Sequence, residues 1–548
     1  MAYHRNPLWG VASTALAMLF LAGAAGPPAV AAEPADEVLS WGAGSSEKLG
    51  DDDAGAADRD LPGDVQLPTG VSVTDVEGGD DHTLAVTSDG RVLAWGGNGA
   101  GQLGDGTNES SSVPVDVALP EDAEVLAVSA GYGFSLALTV DGRVLAWGRN
   151  DAGQLGDGSR EASDVPVAVA LPGGARAASA SAGEAFSVVS TSDGSVLAWG
   201  DNSDGQLGSG NRVPSAVPVR AALPAGAVAR TAAAGAQHGM AVTSSGRLLT
   251  WGANSQGQLG DGTFTDRTSP VSANLPGDAV VDEVVSDNDH NLAITPDGGL
   301  YTWGGNDRGQ LGDGTANDRS SPVPVALPGD GAVVDVAAGE FHSLALDDLG
   351  RVFAWGSDAA GQLGIGGGAD QRTAVQAEVP ADRAATGVGA GQARSAALVR
   401  PRSSATNLTA EPAVVHRGVP VALTATVTCS AGEPTGTVSF TDGDREIGTA
   451  TVGEDGAATL TTDQPDTGEH AITAHYSGTD TCPPSSSEPV TVRMTEQSAP
   501  PPPPGPEPPP QPQGGLAATG PGPLPVLLLT GGGATAAGAA MLLVRRGE

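Results

Sequence analysis

Arg143-Val144-Leu145-Ala146-Trp147-Gly148-Arg149-Asn150-Asp151-Ala152-Gly153-Gln154-Leu155-Gly156 is the stretch whose recurrence decides the fold. Near-copies put Trp-Gly steps at Trp41, Trp95, Trp147, Trp199, Trp251, Trp303 and Trp355, the first interval being 54 residues and the other five 52. A second row, His82, Phe134, Phe186, His238, His290, His342 and Arg394, keeps the period of 52 throughout. Two rows in one register define a repeated supersecondary unit, with the seven tryptophans as its scaffold.

Within a unit, Ser135-Leu136-Ala137-Leu138-Thr139 and Arg143-Val144-Leu145-Ala146-Trp147 are short apolar runs joined through Val140-Asp141-Gly142. Asp-Gly between such runs predicts a tight hairpin, because glycine accepts the positive φ the turn demands. Gly-Gln-Leu-Gly and a Pro-Val run such as Val113-Pro114-Val115-Asp116-Val117 supply another strand. Val333-Val334-Asp335-Val336-Ala337 typifies a fourth. Four short strands per period, with no helical periodicity, predict the blades of an all-β propeller.

The ends of the array predict closure. Glu37-Val38-Leu39-Ser40-Trp41-Gly42 lacks a preceding hairpin partner, and Ser395-Ala396-Ala397-Leu398-Val399 lacks a following one. Pairing the two halves completes a seventh blade and leaves no open edge. Residues 37–400 number 364, which is seven periods of 52.

The repeat resembles that of the regulator-of-chromosome-condensation family, seen in Ala-Gly-x-x-His-Ser-Leu-Ala-Leu followed by Gly-Arg-Val-x-Ala-Trp-Gly-x-Asn-x-x-Gly-Gln-Leu-Gly. The resemblance implies a seven-bladed propeller over residues 37–400. The first copy departs from it, with Ser45-Ser46-Glu47-Lys48-Leu49 where other copies read Gly-Gln-Leu.

Beyond Ser403, Trp-Gly steps end and Thr alternates with Val, as in Val421-Ala422-Leu423-Thr424-Ala425-Thr426-Val427-Thr428-Cys429. Several such strands within residues 403–494 predict a β-sandwich, and the segment resembles a bacterial immunoglobulin-like domain. Cys429 and Cys482, the only two cysteines, are a candidate disulfide in an oxidising compartment, with two free thiols as the alternative. An unstrained bridge there contributes about 4 kcal/mol through loop closure.

The chain ends carry targeting patterns. Residues 1–32 read as a secretory signal peptide, with His4 and Arg5 before the apolar run Leu8 to Ala25 and a small-residue exit near Ala31. A retained membrane anchor is the alternative. Residues 495–515 form a Pro-rich spacer, semi-rigid in polyproline form. Leu516-Ala517-Ala518-Thr519-Gly520 follows, then an uncharged stretch over 524–544 long enough to span a bilayer as a transmembrane helix, and the basic tail 545–548 with Arg545-Arg546. This order resembles the cell-wall sorting signal of Gram-positive surface proteins, in the Leu-Ala-x-Thr-Gly form associated with actinobacterial sortases. The resemblance implies cleavage between Thr519 and Gly520 and transfer of Thr519 to a peptidoglycan cross-bridge. Sortase and peptidoglycan are then partners, contact with the membrane is transient, and the protein is displayed outside the cell on the wall. A plain C-terminal membrane anchor is the alternative.

Composition narrows the function. With 26 Lys+Arg against 65 Asp+Glu the net charge is −39, which disfavours nucleic acid and anionic lipid, both of which need clustered cations. His82, His238, His290 and His342 form the first candidate metal set. Spread around a ring, they do not converge on one ion as zinc requires, and hydrogen bonding within blades is the expected role. Asp105, Asp157, Asp261 and Asp313 in Asp-Gly turns hint at calcium, but they lack the ligand spacing of a calcium loop, so turn formation is the expected role. No nucleophilic serine elbow and no phosphate loop opening a helix is present. The expectation is a protein with no catalytic residues, metal or cofactor.

Three functions remain. The first is a displayed, non-enzymatic binding module for an unknown protein or glycan. The second is a secreted inhibitor, by similarity to the propeller-type β-lactamase inhibitors of streptomycetes, whose repeats are shorter. The third is guanine-nucleotide exchange, implied by the family's namesake. Specificity is expected where copies diverge, as at Thr107-Asn108-Glu109, Ser159-Arg160-Glu161 and Phe264-Thr265-Asp266-Arg267.

Overall fold

The computed structural model describes residues 36–52, 57–430, 433–462, 466–479 and 481–496. The signal-peptide stretch 1–32, the sortase motif Leu516–Gly520, the apolar segment 524–544 and the basic tail all lie outside the described residues, as does the spacer from residue 497. Among the described residues no helix is long and apolar enough to cross a membrane. Helix among the described residues is confined to three-residue 3-10 turns at Ser45–Glu47, Pro172–Gly174 and Pro276–Asp278.

Seven four-stranded antiparallel sheets form the propeller. We number them blades 1 to 7. Blade 1 comprises Val73–Gly78, His82–Thr87, Val92–Gly96 and Ser111–Asp116. Blades 2 to 6 repeat this pattern, their first strands being Val125–Ala130, Ala177–Ala182, Ala229–Ala234, Glu283–Ser286 and Val333–Ala338. Blade 7 is composite: Arg383–Gly391 and Arg394–Pro401 from the C-terminal side pair with Glu37–Gly42 and Arg59–Asp64 from the N-terminal side. Leu39 opposes Ala397 and Trp41 opposes Ser395 across that junction. The ring is thus closed by ordinary antiparallel pairing between its two ends.

First strands of successive blades contact one another around the ring and line a central channel. Each blade's second and third strands are apolar on both faces, as in His82–Thr87 and Val92–Gly96, where every residue is buried. They are sandwiched between neighbouring blades, which explains why their sequence is nearly continuous in apolar and small residues rather than alternating. The Gly after each tryptophan is fixed by geometry. Gly148 has φ +97°, and a Cβ there would lie 2.6 Å from the Gly133 carbonyl oxygen.

The sandwich packs a three-stranded sheet (Ser404–Glu411, Val421–Cys429, Ala457–Thr462) on a larger one built around Thr437–Asp442, Gly468–Tyr476 and Val490–Thr495. Leu423, Val427, Phe440, Ile472, Tyr476 and Val492 fill its core. Tyr476 keeps its hydroxyl satisfied by donating to the Thr435 carbonyl at 2.7 Å. Cys429 and Cys482 are disulfide-bonded, their Cα atoms 5.4 Å apart. Arg402 joins the domains. It donates from its backbone to Asp382 O at 2.7 Å and from its guanidinium to Thr481 O at 3.3 Å.

Candidate functional site

Seams between blades account for both sequence rows. Every tryptophan of the Trp-Gly steps is fully buried, and each indole N–H donates to a carbonyl of the preceding blade. Trp147, Trp199, Trp251, Trp303 and Trp355 donate to Gln102, Gln154, Gln206, Gln258 and Gln310 at 2.8–3.0 Å. Trp41 donates to Gln362 at 2.9 Å, which carries the same contact across the closing blade. Trp95 donates to Lys48 O at 3.1 Å, because Lys48 occupies the glutamine position in the divergent first copy. The last Gly of Gly-Gln-Leu-Gly lets the chain reach this partner: a Cβ on Gly156 would sit 2.5 Å from Trp199 Nε1.

The histidines belong to the same seams. Nε2 of His82, His290 and His342 pairs with Ser135, Ser343 and Ser395 of the following blade at 2.8–2.9 Å, and His238 pairs with Asn291 Oδ1 at 2.7 Å. Ser135 in turn donates to Gln102 O, the oxygen that also receives Trp147. Hydrogen bonding is therefore between blades, where sequence reasoning placed it within them. Burial pushes His82 and His290 down to about 3 and His238 and His342 to about 4. Arg394, the seventh member, is buried, and it donates to the His82 carbonyl. No three His, Cys, Asp or Glu side chains among the described residues are grouped to hold a metal ion.

The Asp-Gly-Thr aspartates are occupied by their own turns. Asp261 Oδ1 accepts from Thr263 N and Oγ1 at 2.9 and 2.6 Å, and its other oxygen accepts from Arg267 Nη2 at 2.7 Å. Asp313 repeats the arrangement with Thr315 and Arg319. Asp105 and Asp157 accept from Thr107 and Ser159. Carboxylates committed to turn N–H groups and guanidinium have few lone pairs left for calcium.

The channel holds the feature the sequence rows did not expose. Facing positions one period apart are Asp75, Ala127, Ser179, Thr231, Glu283, Asp335 and Gly387. Several tie one first strand to the next. Asp335 Oδ2 accepts from Val388 N at 3.0 Å, Ser179 Oγ accepts from Ala232 N at 2.9 Å, and Asp75 accepts from Val128 N. Glu77 and Asp287 stand further along the same wall, Asp287 where the other blades have glycine. No donor among the described residues reaches the carboxylates of Glu77, Glu283 or Asp287. Burial, then mutual repulsion, raises Glu283 to about 8, and burial raises Asp287 to about 7, reinforced by Glu340 and Asp80. Burial with the charges of Asp75, Asp335, Asp287 and Glu283 also raises Glu77 well above the usual range. Blades 2 and 3 present a shallow recess of about 20 Å³ lined by Leu126, Ala127, Val128, Leu138, Ala178, Ser179 and Ala180. The sequence signal for this wall was a third row at period 52, legible only once the first strand is placed in register.

The two faces differ. Gly-x-x loops between first and second strands ring one mouth and carry Asp80, Asp81, Tyr132, Glu184, Asp289 and Glu340; they are hydrogen-bonded to one another, as in Asp80 N to Gly131 O and Glu184 N to Ala236 O. The Asp-Gly hairpin turns surround the other mouth. The divergent loops lie with the Gly-x-x face: Arg212 pairs with Asp266 of the next blade at 2.9 Å, and Phe264 beside it is 56% exposed.

Comparisons with known proteins agree with this architecture. The RCC1-like domain model matches residues 37–397, and a bacterial Ig-like domain (group 3) matches residues 408–495. The ultraviolet-B receptor UVR8 of Arabidopsis thaliana is 36% identical over 337 residues, covering 61% of this chain and 76% of the receptor. The E3 ubiquitin-protein ligase HERC2 of Homo sapiens is 34% identical over 273 residues, 49% of this chain but 6% of the ligase. Prp20p of Saccharomyces cerevisiae, described with its binding properties to Gsp1p and histones, superimposes with TM-score 0.60 at 25% identity, covering 68% of this chain and 92% of its own. Human WBSCR16 gives 0.59 at 25%, over 67% of this chain and 99% of its own.

Proposed function

This chain belongs to the RCC1-like domain family, and from that premise we propose that it is an exported, wall-attached surface protein whose propeller binds a macromolecule without catalysis. The observation that carries the binding role is the division of labour within each repeat. Tryptophan, histidine, glutamine and turn aspartate are spent on seams and turns, which leaves the loop tips and the channel free to differ from blade to blade. A rigid scaffold with variable loops is the usual construction of a recognition surface.

Attachment to the wall rests on the order of segments: signal-like leader, folded domains, Pro-rich spacer, Leu516-Ala517-Ala518-Thr519-Gly520, apolar stretch, Arg545-Arg546. The Cys429–Cys482 bridge suits an oxidising compartment outside the cytoplasm. The sandwich and spacer then act as a stalk. Digestion of purified walls followed by mass spectrometry is expected to find a muropeptide on Thr519; a protein retaining Arg545-Arg546 defeats the sorting reading.

Nucleotide exchange on a small GTPase is the second reading, favoured by the likeness to Prp20p and what that protein is described as binding. Display predicts no acceleration of nucleotide release from small GTPases and no inhibition of β-lactamases. Micromolar activity in either assay displaces it.

A further inference from the structure

The geometry points to the Asp-Gly mouth of the channel as a docking site for a partner segment that carries arginine or lysine between apolar residues. This inference rests on the binding-module reading above and names the chemistry of the partner.

Two independent features meet at this mouth. The first is apolar and exposed. Leu126 and Val334 are the second residues of the first strands of blades 2 and 6 and are each 38% exposed, and Val228 and Val280, ahead of the first strands of blades 4 and 5, are 48% and 49% exposed. Val228 and Val280 each lie against the hairpin turn of the preceding blade, at Gly194 and Gly246. These four aliphatic side chains on the hairpin-turn side of the ring are left in water and offer apolar surface for a bound segment to cover. The second feature is charge. One level inside the mouth stand Glu283, Asp335 and Asp75, with Glu77 beyond them, and Glu77 and Glu283 lack any hydrogen-bond donor among the described residues. Arg230, the cation at this level, is already tied to Asp282 at 2.8 Å. Glu77 and Glu283 are held among other carboxylates that disfavour their ionised form, and a cation entering the channel would favour it.

The occupant follows from complementarity. A free divalent ion does not fit, because the carboxylates stand on different blades and levels and form no ligand set. A side chain does fit: an extended cationic stem reaches past the mouth while its flanking apolar residues cover Leu126, Val334 and their neighbours. Long basic side chains pack their methylenes on apolar surface and send the charge beyond it.

The test uses the full-length chain and a fluorescent hexapeptide, Leu-Val-Arg-Arg-Val-Leu, in an anisotropy titration at low salt. We expect saturable binding that weakens at least tenfold in the double variant Glu77→Gln/Glu283→Gln and in Val334→Ser. It should be unchanged in Glu184→Gln on the opposite face, with the double variant melting no lower than the parent. Equal affinity for a peptide with glutamate in place of arginine, equal affinity of the double variant, or no binding by the parent overturns the site. A natural partner whose capture is untouched by the double variant also overturns it, yet leaves the binding-module reading standing. Peptide binding lost in both mouth variants supports the site, even if display on the wall fails.

Discussion

The indole N–H of Trp147 donates at 2.8 Å to the carbonyl oxygen of Gln102, a residue of the preceding blade, and that same oxygen receives Ser135 Oγ at 2.8 Å. One backbone oxygen thus joins two blades through two donors, and Ser135 passes the connection on to His82. The relationship recurs around the ring, so the stability of the propeller is concentrated in its seams.

Removing one seam tryptophan separates packing from hydrogen bonding. Trp199→Phe leaves Gln154 O its bond from Ser187, so the expected loss is about 1 kcal/mol. Trp199→Ala empties a fully buried site, and the expected loss is about 3–5 kcal/mol. Denaturant midpoints of the two variants measure the difference; equal losses would mean the indole N–H carries the seam.

Acid should open the seams through histidine. His82, His238, His290 and His342 are held neutral, with folded values of about 3–4 against 6.5 in the open chain. Depressed folded values mean that their contribution is fully present above pH 6.5 and disappears as pH falls towards 3–4. At the acid limit each accounts for something on the order of 3 kcal/mol. Phenylalanine already fills this row at Phe134 and Phe186. The variant His82→Phe/His342→Phe should therefore fold at pH 7 and show a flatter fall in melting temperature between pH 6 and 4.

The channel carboxylates have the opposite sign. Glu283 is raised to about 8, so the folded state favours its protonated form. Stability is highest below the open-chain value near 4.5 and declines as pH rises through 8. Glu283→Gln should raise the melting temperature at pH 9 and leave it unchanged at pH 4.

Calcium should not matter to the propeller. Asp261 and Asp313 are saturated by turn donors and arginine. Melting in excess chelator and in millimolar calcium is expected to coincide. A shift of several degrees would show that the turns take metal after all.

The disulfide acts on the sandwich alone. Cys482 is buried in that domain's core. Cys429→Ser/Cys482→Ser should lower the sandwich transition by about 3–4 kcal/mol and leave the propeller transition in place, as two calorimetric peaks would record.

The propeller was legible because its construction is periodic. Trp-Gly and Asp-Gly steps at a spacing of 52 encode a strand, a turn and a partner, and Glu37–Gly42 and Ser395–Val399 advertised their missing partners as unpaired halves. The sandwich was legible from Thr/Val alternation on half-buried strands. The channel wall was not. Asp75, Glu283 and Asp335 lie in short strands where acidic residues look like ordinary solvated positions, and nothing local says that seven such strands point at one axis. Likewise, His82 shows its period in the sequence but not its bond to Ser135, 53 residues away in the next blade.

The sequence by itself determined the repeat, the number of blades, the closing junction and the two folded domains, because each follows from local hairpin chemistry and from the count of periods. Only the tertiary structure decided which side chains meet across the seams, that the turn aspartates are used up at home, and that carboxylates from separate blades gather in one channel. Those facts depend on curvature of the ring, which converts equal spacing along the chain into convergence at an axis.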